Sequence, residues 1–311
     1  MSNLEGFFKR KTKVQDGMPT GVNLVDFSQI VLSTIMATYK PGDLLTVDLI
    51  RHIVLNTLRA NVSKNKLRYP CIILCFDNGE GGYWRKKAAW YYKHNRKGER
   101  DKSEWDFTVI FEAMSIIKQE IKDNMPYRVM DIMGVEADDH IGVLTKYYVE
   151  HNVPVLITSS DGDFTQLHTS KLVRQWSPIM RKWVKPKHGS PEMDIMFKCI
   201  KGDKKDGIAP LKAPNDHYTH GDGRRAPAVR AEELRTLMTS TQEELKNLLT
   251  DEQWLRYVEN RSLLDFEYIP TDISDSILEQ FKEQKPAARG KMLMYFGSKK
   301  LDSLVPLMSD F

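Results

Sequence analysis

Residues 153–168 read "VPVLITSSDGDFTQLH". Val153 to Ile157 form an apolar run with the length and β-branched content of a strand buried on both faces. The chain then turns polar and sets Asp161 and Asp163 around Gly162. Two carboxylates this close repel each other, and each is costly to desolvate. Either the turn lies in water or a cation holds it. Two upstream stretches repeat the pattern. "GVNLVDFSQIVLSTIM" reads as a strand ending at Asp26 and then a helix, and "CIILCFDN" as a buried strand ending at Asp77. "VDLIRHIVLNTLRANVSKNK", "FTVIFEAMSIIKQEIKDN" and "VEADDHIGVLTKYYVEH" have the periodicity of amphipathic helices, and "YRVMDIMG" reads as a strand. Strands alternating with helices predict an α/β fold, a central and mostly parallel sheet flanked by helices. From about residue 190 the strand signal fades, and segments such as "AEELRTLMTSTQEELKNLLTDEQWLRYVENRSLL" are helical. The expected layout is a flexible tail over 1–18, an α/β domain over 19–190 and a helical C-terminal part over 191–311. "KAPNDHYTHGDGRRAPAVR" reads as a loop between helices.

The chain has 311 residues, of which 41% are apolar and 28% charged, as in a soluble globular protein with a sizeable core. No stretch of about 18 apolar residues suggests a membrane span, and "MSNLEGFFKRKTKVQDG" lacks the apolar core of a secretory signal. Cys71, Cys75 and Cys199 are odd in number and lack framework spacing, which predicts a reducing compartment. The net charge of +4 hints only weakly at nucleic acid. Its distribution says more. Between Trp84 and Lys102 eight Lys/Arg stand against two acids, interleaved with Trp84, Trp90, Tyr91 and Tyr92. Cations beside flat rings suit phosphates and unstacked bases. The plainer reading is a solvated loop.

Strand ends of a parallel sheet share one edge, where such folds bind ligands. Asp26, Asp77, Asp161 and Asp163 should therefore converge. "VEADDH" adds Glu136, Asp138 and Asp139 at a helix start. Glu136 and Asp139, three apart, would share a face, and Asp138 would point elsewhere if the helix has already begun. "KGDKKDG" adds Asp203 and Asp206. Taken singly, each acid has an ordinary explanation as a turn, an N-cap or a helix-dipole partner. Together, nine acids at one edge would repel by several kcal/mol without counterions. Hard oxygen donors without a His/Cys set select Mg²⁺ or Mn²⁺. So many carboxylates suit two ions about 4 Å apart, the arrangement used for phosphodiester cleavage. A rival reading is that "DGDFT" matches the DxDxT signature of haloacid-dehalogenase-like phosphatases, with Asp161 as nucleophile. That motif normally sits on the first strand of its domain, and the rival leaves Asp26, Asp77 and the "EADD" acids without a role.

In order, "LVDFSQI", "LCFDN", "GYWRKKAAWYYKHNRK", "VEADDH", "SSDGDFTQLH", "QWSP" and "KGDKKD" run from Asp26 to Asp206. This series resembles the flap endonuclease / 5′-nuclease family with its PIN-like fold, most closely its ribonuclease H branch in T-even bacteriophages. The resemblance implies a 5′-to-3′ nuclease that removes RNA primers and 5′ flaps in phage DNA replication. Its substrates would be RNA–DNA hybrid and 5′-flap or forked DNA, and its cofactors two Mg²⁺, or Mn²⁺. Asp26, Asp77, Glu136, Asp138, Asp139, Asp161, Asp163, Asp203 and Asp206 would surround the ions, with Asp138 at a position where the T-even branch tolerates an amide. Catalysis would rest on Asp26, Asp161, Arg85 and Lys86. Residues 84–104 would form an arch over a 5′ single strand, with Arg85 and Lys86 nearest the scissile phosphate, Lys87 and Tyr92 along the strand, and Lys93 and Arg96 further out. Most of the family follows the last Asp with a Gly-rich turn of the GVPGIG type, whereas Asp206 precedes "GIAPLKAPNDHY". Duplex contact is expected around residues 200–230, on Lys204, Lys205, Lys212, Arg224 and Arg225. The remaining alternative is a non-catalytic branched-DNA-binding protein.

In "MSNLEGFF", Leu4 and the Phe7–Phe8 pair resemble a sliding-clamp-binding peptide without its usual Gln; the plainer reading is a contact with the protein's own surface. By resemblance, the stretch "GKMLMYFGSKKLDSLVPLMSDF" is a candidate contact for a single-stranded-DNA-binding protein, although its Leu/Met/Phe alternation is more simply core. A monomer without membrane contact is expected, in the cytoplasm of an infected bacterial host.

Overall fold

The computed structural model describes residues 17–219 and 225–311. In chain order the elements are β1 (Val22–Asp26), α1 (Phe27–Thr38), α2 (Val47–Val62), β2 (Cys71–Cys75), α3 (Trp84–Ala88), α4 (Asn95–Asp101), α5 (Phe107–Asn124), β3 (Arg128–Met130), α6 (Ala137–Glu150), β4 (Val155–Thr158), β5 (Val173–Ser177) and β6 (Lys182–Val184). The helices α7 (Pro191–Lys201), α8 (Ala231–Thr239), α9 (Gln242–Leu248), α10 (Asp251–Leu264), α11 (Thr271–Glu283) and α12 (Lys291–Ser298) follow. Capping chemistry sets many of the boundaries. Asp26 ends β1 and caps α1, accepting from the Gln29 N–H at 3.3 Å. Asp106 caps α5, Ser190 caps α7 with Pro191 in its first turn, and Thr241 and Thr250 open α9 and α10 with capping boxes.

The sheet order is β3-β2-β1-β4-β5-β6. The pairs from β3 across to β5 are parallel, and β6 returns antiparallel to β5. The chain runs outward from β1 on one side and, after α6, outward from β4 on the other. The β1/β4 boundary is therefore the topological switch point, where a crevice opens beyond the carboxyl ends of the strands. Asp26 and Asp161 flank it.

Each face of the sheet has its own apolar cluster. α1, α2 and α5 cover one, with Ile35, Leu55 and Ile117 fully buried, and α6 and α11 cover the other with Ile141, Leu144 and Ile277. The C-terminal stretch is not a separate body. Met292, Tyr295, Phe296, Leu304 and Phe311 enter the first cluster, and Phe281 of α11 enters the second. Most of the Leu/Met/Phe alternation is thus core, while Leu293 and Met294 are exposed. A third cluster ties Tyr91 and Tyr92 to Cys199 and Ile200 of α7, Leu237 of α8 and Tyr257 of α10. That cluster anchors the base of the basic stretch. No helix among the described residues is long and apolar enough to cross a membrane.

Candidate metal centre

Three acids meet at the switch point. Asp26 accepts from the Ser159 hydroxyl at 2.8 Å, and burial, followed by repulsion from Asp77, raises its pKa to about 7. Asp77 accepts from the Ala137 N–H at 2.9 Å, which ties the end of β2 to the start of α6, and burial raises its pKa. Asp138 makes no hydrogen bond or ion pair among the described residues. Burial, then the charges of Asp26 and Asp161, push it well above the usual carboxylate range. None of the three forms an ion pair among the described residues; Lys93 acts on Asp77 and Asp138 only through its field.

A second group lies on the β4 side. One carboxylate oxygen each from Asp163, Asp203 and Asp206 falls within 4.8 Å of the others. Asp163 is raised to about 6 by burial and by Asp161. Burial would also raise Asp206, but Lys93 and Arg96 outweigh it and hold this carboxyl low. Lys198 of α7 bridges Asp163 and Asp203, the latter at 2.9 Å. Lys205 meets Asp161 at 2.6 Å and Arg96 meets Asp206 at 2.5 Å. The turn bearing Asp203 and Asp206 is bracketed by Gly202 and Gly207, with φ of 72° and 74°. A Cβ at Gly207 would stand 2.8 Å from the Tyr91 carbonyl oxygen, so the chain passes the basic stretch too closely for any side chain there.

Beneath the basic stretch lies a third, closed network. Arg85 is 3% exposed and pairs with Glu136 at 2.9 Å and Asp139 at 2.8 Å; it also donates to the Leu263 carbonyl. Lys93 pairs with Glu136, whose carboxylate also accepts from the Tyr92 hydroxyl. Asp139 is fully buried and accepts from the Trp84 indole N–H at 3.0 Å and the Glu136 N–H at 3.1 Å.

Several residues lie elsewhere than the sequence suggests. Asp139 is turned away from the pocket and Asp138 into it. Glu136, the N-cap of α6, and Asp139 do lie together, joined by a capping box and by Arg85, but what they share is that guanidinium and not the strand-end acids. Arg85, expected nearest the scissile phosphate, is a buried partner of Glu136 and Asp139. Lys93 and Arg96, expected further out, contact the acids directly. Lys86 and Lys87 are exposed, as is Trp90. Of the expected duplex contacts, Lys204 and Arg225 are exposed, Lys205 is held by Asp161, and Lys212 pairs with Glu233 at 2.7 Å. Leu4, Phe7, Phe8 and Arg224 lie outside the described residues.

Sequence reading missed the supports. Gln175, in "QWSP", donates to the Ser159 and Asp161 carbonyls at 3.0 and 2.6 Å, and the Gln29 side chain accepts from the Ser160 N–H at 2.8 Å. Lys198 gave no signal, since a lysine on an amphipathic helix looks like any solvated one.

The donor set fits divalent cations. It is all carboxylate, it holds three acids that form no ion pair among the described residues, and its second group is already drawn around the chain's own ammonium and guanidinium groups. The comparisons agree. The 5′-3′ exonuclease N-terminal resolvase-like domain matches residues 24–190, and the C-terminal family of T4 RNase H matches residues 189–311. Ribonuclease H of Enterobacteria phage T4 is 43% identical over 293 residues, covering 94% of this chain and 96% of that protein. A 5′-3′ exonuclease of Buchnera aphidicola (Acyrthosiphon pisum) is 28% identical over 153 residues, 48% of this chain and 50% of that one. Among solved structures, a bacteriophage T5 protein co-crystallised with metal ions superposes with a TM-score of 0.59 at 18% identity, covering 85% of this chain and 98% of that one. The T5 5′-exonuclease with bound zinc gives 0.55 at 18% identity over 85% and 99%, which places both folds together. What the site and fold define is a metal-dependent 5′ nuclease. The chain belongs to the 5′-3′ exonuclease family, with a C-terminal part of the T4 RNase H kind. Neither the phosphatase nor the non-catalytic reading is favoured.

Proposed function

We propose that the protein removes RNA primers and 5′ flaps by hydrolysing phosphodiesters in RNA–DNA hybrid and in 5′-flap or forked DNA, with two Mg²⁺ as cofactors. The observation that carries this reading is the trio Asp26, Asp77 and Asp138, which forms no ion pair among the described residues and lies beside Asp161 and a second acid group. One ion would be held by Asp26, Asp77, Asp138 and Asp161, the other by Asp163, Asp203 and Asp206. Bound there, the pair supplies an activated water and charge neutralisation at the departing oxygen. Glu136, buried and doubly paired, holds Arg85 and Lys93 in place. Gln175 and Ser159 fix the loop carrying Asp161. Lys198, Lys205 and Arg96, released from the acids, become donors for the substrate's phosphates. The exposed cations Lys86 and Lys87 and the ring of Trp90 would meet the single strand under the arch.

The remaining assignments follow the likeness to the T4 ribonuclease H: action as a monomer in the cytoplasm of an infected bacterium, with Leu4, Phe7 and Phe8 as a sliding-clamp contact. A labelled 5′-flap duplex and an RNA–DNA hybrid, incubated with and without Mg²⁺, test the activity. Sized products bearing a 5′-phosphate are expected only with the metal, and an intact flap under both conditions would refute the proposal. Retention on the clamp should fall in a Phe7→Ala/Phe8→Ala variant.

A further inference from the structure

Asp194 is an acid outside the nine of the metal centre, and the reading above leaves it without a role. It lies in the first turn of α7, its side chain 12% exposed. The Lys187 N–H reaches its carboxylate at 3.0 Å, the His188 N–H at 2.8 Å and the Thr165 hydroxyl at 2.6 Å. Burial would raise this carboxyl, but the Thr165 hydroxyl and the two backbone N–H groups outweigh it and hold it low. An ionised carboxylate only accepts, so the His188 Nδ1, 3.0 Å away, carries the ring proton. The imidazole is also stacked on Phe197, at 4.0 Å between ring centres. Four donors thus fill the roughly four acceptor positions of the carboxylate. None is left for an ion, so Asp194 is a fastening and not a tenth ligand.

What it fastens is the turn that bears Asp163. Thr165, 2% exposed, belongs to the 3₁₀ turn Gly162–Leu167, which starts from its cap Asp161 and includes Asp163. Its hydroxyl also lies 2.8 Å from the Gly162 carbonyl, but with one proton to give, the charged acceptor at 2.6 Å is the stronger partner. One helical turn beyond Asp194, on the same face of α7, stands Lys198, which bridges Asp163 and Asp203. α7 then ends at Lys201, and Asp203 follows Gly202. Among the described residues two hydrogen bonds join the turn to α7, Thr165 with Asp194 and Lys198 with Asp163. They differ in what an ion does to them. The Lys198 ammonium stands where a cation is needed and, in the reading above, gives way to one. The Thr165–Asp194 bond uses no ligand oxygen and stays. Both contacts line the cavity of about 430 Å³ that holds Asp163 and Asp203.

We propose that Asp194 is a positioning residue for the second ion: through Thr165 it fixes the turn of Asp163 against α7, and with it the gap between Asp163 and Asp203 that the ion bridges. The proposal rests on the two-ion reading, and its test reads the metal alone. Binding of Mn²⁺ to the full chain would be counted by electron paramagnetic resonance of the free ion, in wild type, Thr165→Val, Thr165→Ser and Asp194→Asn. Two ions are expected in wild type. Thr165→Val keeps the volume and loses the hydroxyl. It should weaken one ion about tenfold or more and leave the other within about twofold, as outer contacts tune a metal site. Thr165→Ser restores the hydroxyl and should bind both ions within about twofold of wild type. Asp194→Asn has too few acceptor positions for its donors and should match the valine variant; it carries the test if Thr165→Val does not fold. Thermal melting without metal shows which variants are folded. Wild-type affinity for both ions in a folded Thr165→Val or Asp194→Asn protein would overturn the proposal, and so would an equal loss of both ions, the mark of a general loosening. A serine variant as weak as the valine one would do the same. A wild type that takes up a single ion ends the two-ion reading and this proposal with it, whereas two ions in wild type and unaltered variants end the proposal alone.

Discussion

Two sets of carboxylates sit at one sheet edge, and they differ in depth and in what neutralises them. Glu136 and Asp139 are closed off by Arg85, Lys93, Trp84 and the backbone of α6. Asp26 is buried, Asp138 half-buried and Asp77 open to solvent, and none of the three forms an ion pair among the described residues. Burying a charge costs several kcal/mol unless it is paired. The first set meets that cost within the chain and so is architecture. The second does not, so its charged form calls for a partner from outside. Asp138 and Asp139 are neighbours in sequence and fall on opposite sides of this division, so residue type alone does not mark a ligand-binding acid.

The contrast can be broken by experiment. The largest effect is expected for Asp138→Asn or Asp161→Asn: flap cleavage should fall about a thousandfold, because each removes a ligand to ions worth several kcal/mol in the transition state. Thermal stability should hold or rise in Asp138→Asn, since a repelled charge disappears. A melting temperature well below wild type in Asp138→Asn would place this acid in the closed network instead. Asp139→Asn should do the reverse, costing about 3 kcal/mol by chemical denaturation because it strips a buried guanidinium of a partner. Gly207→Ala is expected to cost about 2 kcal/mol and lower activity, through the positive φ and the encounter with Tyr91. Lys205→Ala should lower the Mg²⁺ concentration for half-maximal rate about threefold, since this ammonium competes for Asp161 at the surface. Lys212→Ala, which breaks a partly exposed pair with Glu233, should shift stability by less than about 0.5 kcal/mol, and a larger shift would show that pairing at the surface had been undervalued.

The sheet was legible because "NLVD", "CIILC" and "VPVLIT" are apolar runs of strand length, and acids at their ends follow from parallel topology. The short strands β5 and β6 were not, because polar residues interrupt them and pairing alone makes them strands. The cluster of nine acids was legible as a composition of strand ends and turns. Which of them face the ions was not, since that depended on where α6 begins. One residue of shift at Glu136 exchanges the roles of Asp138 and Asp139. Arg85 was legible as basic and illegible as buried, because its depth comes from α10, whose Leu263 carbonyl it meets across 178 positions.

Lys93 has a bearing on how the basic stretch can be studied. It holds a left-handed backbone (φ 52°), donates its N–H to the Asp206 carbonyl at 2.8 Å and sends its ammonium to Glu136. A side chain accepts that conformation only when its surroundings enforce it. Excising residues 84–104 to ask whether a strand threads there would therefore pull a rivet from both acid-bearing segments, and lost activity in such a deletion would say nothing about threading. Replacing the outward-facing Lys86, Lys87 and Trp90 puts the question without that confusion.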